Sequence, residues 1–64
     1  MTVNTLFSTC ENYFKHIYCL IDGSELYYYE DMYTFHYIYA YFKVINFMVY
    51  EDDDQDSVLV ISII

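Results

Sequence analysis

The chain has no arginine, no proline and no tryptophan, a single glycine, and two lysines, Lys15 and Lys43. Each shortage closes a route. One glycine cannot build a loop that cradles phosphates. Two lysines cannot neutralise a nucleic-acid backbone or an anionic membrane, so direct binding to either is not expected. Cys10 and Cys19, with no CxxC spacing, supply neither a disulfide framework nor a structural zinc site. No basic segment precedes an apolar core near the start, so no secretory signal is expected. The longest apolar run, 32–50, has the length of a membrane span. It is interrupted by Thr34, His36, Lys43, Asn46 and five tyrosines. A cytoplasmic protein, without membrane or cofactor, is the resulting expectation.

What the chain does have is acid and aromatic surface. Ten carboxylates give a net charge of −8, and ten tyrosines and five phenylalanines crowd into 64 residues. A hydrophobic content of 58% argues against intrinsic disorder despite the charge. The length fits one domain, 1–64, and a small one. Chains of this size bury only about 60% of their unfolded surface and often need association to add stability. Folding must also overcome the repulsion among the acids, and a partner that is itself basic would relieve it.

Gly23 is the strongest punctuation. Before it, STCENYFKHIYCLID has apolar residues at Cys10, Tyr13, Phe14, Ile17, Tyr18 and Ile21, a period near 3.6, with Ser8 and Glu11 at capping-box spacing. This favours an amphipathic helix closed by Gly23. A hairpin competes: Asp22-Gly23 is a good two-residue turn joining HIYCLI to SELYYY, with Lys15 facing Glu30. SELYYYED, 24–31, reads as a strand. The stretch 32–42 reads as strand or as a short helix begun by Glu30 and Asp31, and TVNTLF is a candidate short strand. VINFMVY and SVLVISII form the clearest hairpin, with 51–56 as its loop. Both are apolar on both faces, so something must cover the second face of the sheet. The expected class is α+β, one amphipathic helix packed on an antiparallel sheet of three to five strands.

No constellation for catalysis stands out. His16 and His36 lie in no recognisable motif, so the chain is not read as an enzyme. Asp52, Asp54 and Asp56 have the first spacings of a calcium loop. Ser57 stands where its glycine belongs and Ile63 where its bidentate glutamate belongs, so no metal site is expected. Cys10 and Cys19, placed on one helix, project from opposite sides and cannot bridge. Ten tyrosines exceed what so small a core can hide, and tyrosine is enriched at interfaces.

The acids fall in two groups, Glu25, Glu30 and Asp31 around a tyrosine strand and Glu51, Asp52, Asp53, Asp54 and Asp56 in YEDDDQD. Carboxylates beside large apolar side chains complement a basic groove that tracks phosphates and bases. In this the chain resembles the small acidic proteins with which phages block host enzymes acting on nucleic acid: uracil-DNA glycosylase inhibitors, anti-restriction proteins and some anti-CRISPR proteins. The layout is most similar to the uracil-DNA glycosylase inhibitors. There a helix precedes an acidic strand and a closing hairpin, as FSTCENYFKHIYCLID, GSELYYYED and NFMVYEDDDQDSVLVISII do here. The resemblance implies phosphate imitation by Glu25, Glu30 and Asp31, and lies in layout rather than residue identity. The candidate partner-binding residues are therefore Glu25, Tyr27, Tyr29, Glu30, Asp31, Glu51, Asp52, Asp53, Asp54 and Asp56. The expected partner is the basic groove of a host DNA- or RNA-acting enzyme. The alternative is a structural or adaptor subunit that forms a homodimer or joins a larger assembly through its apolar strands.

Overall fold

The computed structural model describes residues 1–64. Two short helices and four strands follow the order α1 (Val3–Thr9), β1 (His16–Ile21), β2 (Glu25–Tyr29), α2 (Met32–Tyr39), β3 (Val44–Glu51) and β4 (Ser57–Ile63). The strands form one sheet in the order β2-β1-β4-β3. The α+β class and the four-stranded sheet are as the sequence implies. The helices lie elsewhere, and the sheet is mixed, because β1 runs parallel to β4.

The helix expected over 8–21 does not form. Thr2 caps a helix that starts six residues earlier, its Oγ1 accepting from the Thr5 N–H at 3.2 Å. Val3, Leu6 and Phe7, at the i, i+3, i+4 spacing, are its buried stripe. The helix ends at Thr9, whose hydroxyl donates to the carbonyls of Thr5 and Leu6. TVNTLF is thus helix rather than strand. HIYCLI is β1, the hairpin alternative. Asp22 and Gly23 both adopt left-handed backbone, φ 54° and 73°, and the Ser24 N–H closes the turn onto Ile21 C=O at 3.2 Å. The pairing runs from Ile17↔Tyr29 to Ile21↔Glu25. Lys15 turns to Asp56 at 3.4 Å instead of facing Glu30. Alternation in β1 was hidden because both its faces carry apolar residues.

After β2, Asp31 caps α2, accepting from the Tyr33 N–H and the Thr34 hydroxyl, each at 2.9 Å. This settles 32–42 as a helix followed by a turn. Phe35 and Tyr39, one helical turn apart, are its buried residues. The chain then makes β3, and β4 inserts between β3 and β1. SVLVISII is therefore one of the two inner strands and not an edge. That position explains its apolar run, with Val58, Leu59, Ile61 and Ile63 all buried.

Both helices lie on one side of the sheet. Ile17, Cys19 and Ile21 of β1 pair with Leu59, Ile61 and Ile63 of β4, and this row meets Val3, Leu6, Phe7, Phe14, Phe35 and Tyr39. Phe7 packs on Phe14 and Phe35 with ring centroids 5.9 and 5.7 Å apart. Fully burying one such ring contributes about 1.5–3 kcal/mol. Tyr29 and Tyr39 join the core by bonding to each other, hydroxyl to hydroxyl at 2.6 Å. No buried side-chain polar atom lacks a partner. No helix is long and apolar enough to cross a membrane.

Candidate partner-binding surface

Strand direction decides where the charge goes. β1 begins, β2 ends, β3 ends and β4 begins at the same end of the sheet. That end gathers Glu30 and Asp31 after β2 with Glu51, Asp52, Asp53, Asp54 and Asp56 between β3 and β4. Seven of the ten carboxylates thus share one end with a single lysine, Lys15. The two acidic groups of the sequence are neighbours in space, with one exception. Glu25 starts β2 at the opposite end, about 17 Å from Glu30 at strand rise. Its carboxylate accepts from the Tyr27 hydroxyl.

The acidic loop is braced from within. Asp52 Oδ1 accepts from the N–H groups of Asp54 and Asp56, each at 3.0 Å, and the Asp52 N–H donates to Asp56 C=O at 3.0 Å. Gln55 takes the left-handed conformation, φ 64°, that closes the loop. Asp56 meets Lys15 at 3.4 Å, and the Lys15 N–H donates to Ser57 C=O at 2.9 Å. Asp52 and Asp56 therefore shape the loop. Asp53 and Asp54 are exposed, and their carboxylates have no partner.

His16, which lies in no recognisable motif, belongs to this end. Its Nδ1 meets the Tyr28 hydroxyl, which turns Nε2 toward Asp52 Oδ2 at 3.6 Å and Asp56 Oδ2 at 4.0 Å. The three ligand atoms lie within 4.8 Å of one another and are the one group of residues placed to hold a metal ion. The same arrangement equally suits a protonated imidazole facing two carboxylates. No sequence signal pointed to it, because the parallel pairing that sets His16 beside β4 has no local mark. His36 bonds Asn4 Oδ1 through Nε2 at 2.8 Å and packs edge-on to Phe7, a helix-to-helix tie.

The sheet face away from the helices is uncovered. Registered residues share a face, so Tyr18, Leu20, Leu26, Tyr28, Met48, Tyr50, Val58 and Val60 lie on it together with Asn46 and Ser62. Tyr18, Leu26, Tyr28, Met48 and Tyr50 are exposed, and only Val58, between His16 and Tyr50, is buried. Tyr28 and Tyr50 bring aromatic surface to the acidic end of this face. Of the tyrosines singled out from the sequence, Tyr29 serves the core and Tyr27 lies on the helix side near the Glu25 end.

Titration behaviour follows these contacts. The Thr34 hydroxyl, then the Tyr33 N–H, hold the Asp31 carboxyl below its usual range. The bond to the Glu25 carboxylate, then its charge, raise Tyr27. Loss of solvation, then the Glu30 charge, raise Tyr28. Burial, then the hydrogen bond with Tyr29, raise Tyr39. Burial pushes the Cys19 thiol up to about 11. The two cysteines are unbridged, Cys19 buried on β1 and Cys10 half-buried after α1.

Compared with known protein families, curated proteins and solved structures, the chain matches none.

Proposed function

We propose that this protein is a small acidic inhibitor that occupies the basic nucleic-acid groove of a host DNA- or RNA-acting enzyme. The observation that carries the reading is the convergence of seven carboxylates on one end of a rigid sheet, with one lysine among them. Such a charge pattern steers a molecule to a basic groove and competes there with phosphates. Tyr28 and Tyr50, exposed on the adjoining face, offer rings to the apolar or aromatic pockets that hold bases. Glu25 falls outside this surface, so phosphate imitation rests on Glu30, Asp31, Glu51, Asp53 and Asp54. Repair glycosylases, restriction enzymes and CRISPR effectors all present grooves of this kind. The test is reversal of Asp53 and Asp54 to Lys, which spares the loop's internal bonds. Inhibition or binding must then fall and lose its salt sensitivity. An unchanged affinity would remove the acidic end from the mechanism.

A second reading has its own observation. The uncovered sheet face and the free outer edge of β3 support a structural or adaptor subunit that associates through its apolar strands. The two readings are compatible, since an inhibitor can also dimerise.

A further inference from the structure

A chain this small often needs a staple, and neither cysteine supplies a bridge. His16, Asp52 and Asp56 stand where a staple would act, between the start of β1 and the loop that joins β3 to β4. Each is fixed by a different contact. Nδ1 of His16 meets the Tyr28 hydroxyl, and the two rings stack with centroids 5.8 Å apart, which aims Nε2 at the loop. Asp52 Oδ1 is taken by two backbone N–H groups, and Oδ2 is left to face the imidazole. Asp56 is held through its backbone, its N–H on Asp52 Oδ1 and its C=O on the Asp52 N–H.

Position alone suits a proton or a cation between these groups; the distances favour the cation. A protonated imidazole draws a carboxylate oxygen to about 2.7–2.9 Å. Nε2 stands 3.6 Å from Asp52 Oδ2 and 4.0 Å from Asp56 Oδ2. Two ligands on one tetrahedral zinc, each about 2.0–2.1 Å from it, lie about 3.3–3.5 Å from each other. The three ligand atoms are all within 4.8 Å of one another. Movements of about an ångström or less would close them on an ion.

We propose that His16 Nε2, Asp52 Oδ2 and Asp56 Oδ2 bind a divalent transition-metal ion, zinc first, with one tetrahedral position left for water. An imidazole among the ligands selects zinc-type ions over calcium and magnesium, which prefer oxygen. Tyr28 supplies the outer contact that orients a ligating histidine. A cleft of about 320 Å³, lined by Tyr13, Lys15, His16 and Glu30, adjoins the imidazole and gives water a way in. Lys15 is the competitor, its ammonium 3.4 Å from Asp56 Oδ2. That side chain is exposed, so the pair contributes little and can open. Asp54, the middle acid of the calcium-loop spacing, lies outside the group, and the imidazole comes from another strand. The site uses neither Asp53 nor Asp54, so it stands or falls separately from the inhibitor reading.

The test is titration with zinc chloride in a Cys10→Ser background, which removes the accessible thiol, read by calorimetry and by NMR of the two histidine rings. One zinc per chain is expected, with the His16 ring shifted and the His36 ring unmoved. Zinc at about 100 times its dissociation constant should raise the thermal midpoint by about 10–20 °C. Cobalt(II) should bind in the same place with the visible spectrum of a tetrahedral ion, and equal calcium or magnesium should not displace it. His16→Gln should weaken zinc binding about 100-fold or more and Tyr28→Phe about tenfold. Lys15→Met should tighten it. Asp53→Asn, which removes one charge from the same loop, should change the affinity by no more than about threefold. Absence of saturable binding at millimolar zinc, or zinc that leaves the His16 ring unmoved, would overturn the site. So would an equal loss from Asp53→Asn and His16→Gln, the mark of diffuse attraction to an acidic loop. The ring shifts are read on unsubstituted His16, so they decide even where His16→Gln fails to fold.

Discussion

Asp52 and Asp53 are adjacent, carry the same charge and lie in the same loop, yet the structure gives them different work. Asp52 Oδ1 accepts two backbone N–H groups and its Oδ2 faces His16. Asp53 accepts none and is exposed. Replacing either by Ala relieves the same share of the net repulsion, so the difference between them isolates the hydrogen bonds. A bond to a charged acceptor is worth about 1.5–3 kcal/mol, less where the acceptor is partly solvated. The Asp52 side chain is 28% exposed. Two discounted bonds make Asp52→Ala about 1.5–3 kcal/mol less stable than Asp53→Ala, which should lie within about 0.5 kcal/mol of wild type. In a domain this small, each kcal/mol moves the midpoint by about 7 °C. Thermal and urea unfolding of the two variants side by side would therefore separate them by roughly 10–20 °C. Equal midpoints, or an Asp52→Ala protein more stable than wild type, would refute the view that Asp52 braces the loop while Asp53 is free for a partner.

Further expectations follow from the same structure. Phe35→Ala removes a ring with no exposed surface that contacts Phe7, Tyr29 and Tyr39, and should cost about 3–5 kcal/mol. That is comparable to the whole stability of such a domain, so circular dichroism should show a largely unfolded chain. Asp31→Ala should shorten α2 and remove an acid-sensitive contribution. Because the folded carboxyl titrates below its unfolded value, that contribution is present above the unfolded pKa of about 4 and is lost as pH falls through the folded one. The wild-type advantage over Asp31→Ala in urea midpoints should then shrink below pH 4; a constant difference from pH 7 to pH 2 would count against it. A thiol reagent at pH 8 should label Cys10 in the native protein and reach Cys19 only on unfolding, since Cys19 is buried with its thiol raised to about 11.

The sequence was most legible where one pattern had one meaning. The β3–β4 hairpin and its acidic loop were plain because strand formers flank a run of acids that no strand interior would hold. The stretch 32–42 had two meanings, strand or short helix, and the Asp31 cap decides for the helix. Residues 8–21 misled because β1 is apolar on both faces. Cys19 and Ile17 face the helices while Tyr18 and Leu20 face the open side, and this erased the period of two. The three-residue stripe of α1 was too short to register against it. Sheet order was not legible at all. Nothing local says that β4 lies between β1 and β3. That insertion brings His16 to Asp52 and Asp56, buries SVLVISII and exposes VINFMVY. Glu25 was grouped with Glu30 by nearness in sequence, and a strand carries the two to opposite ends.

The central claim is that the acidic end of the sheet stands in for a nucleic acid on a basic enzyme groove. Capture from a bacterial lysate tests it most directly, with wild-type protein and the Asp53→Lys, Asp54→Lys variant as paired baits. Bound protein is released by duplex DNA, by RNA or by rising salt. Reversing a charge 4 Å from a basic group exchanges about 1 kcal/mol of attraction for as much repulsion, in a water-like dielectric. Two reversals, screened at physiological salt, amount to about 2–3 kcal/mol, a loss of about 30- to 150-fold. The account predicts that wild type retains a DNA- or RNA-acting enzyme, that nucleic acid displaces it, and that the variant does not retain it. A retained enzyme that nucleic acid cannot displace, or that both baits hold equally, would contradict it.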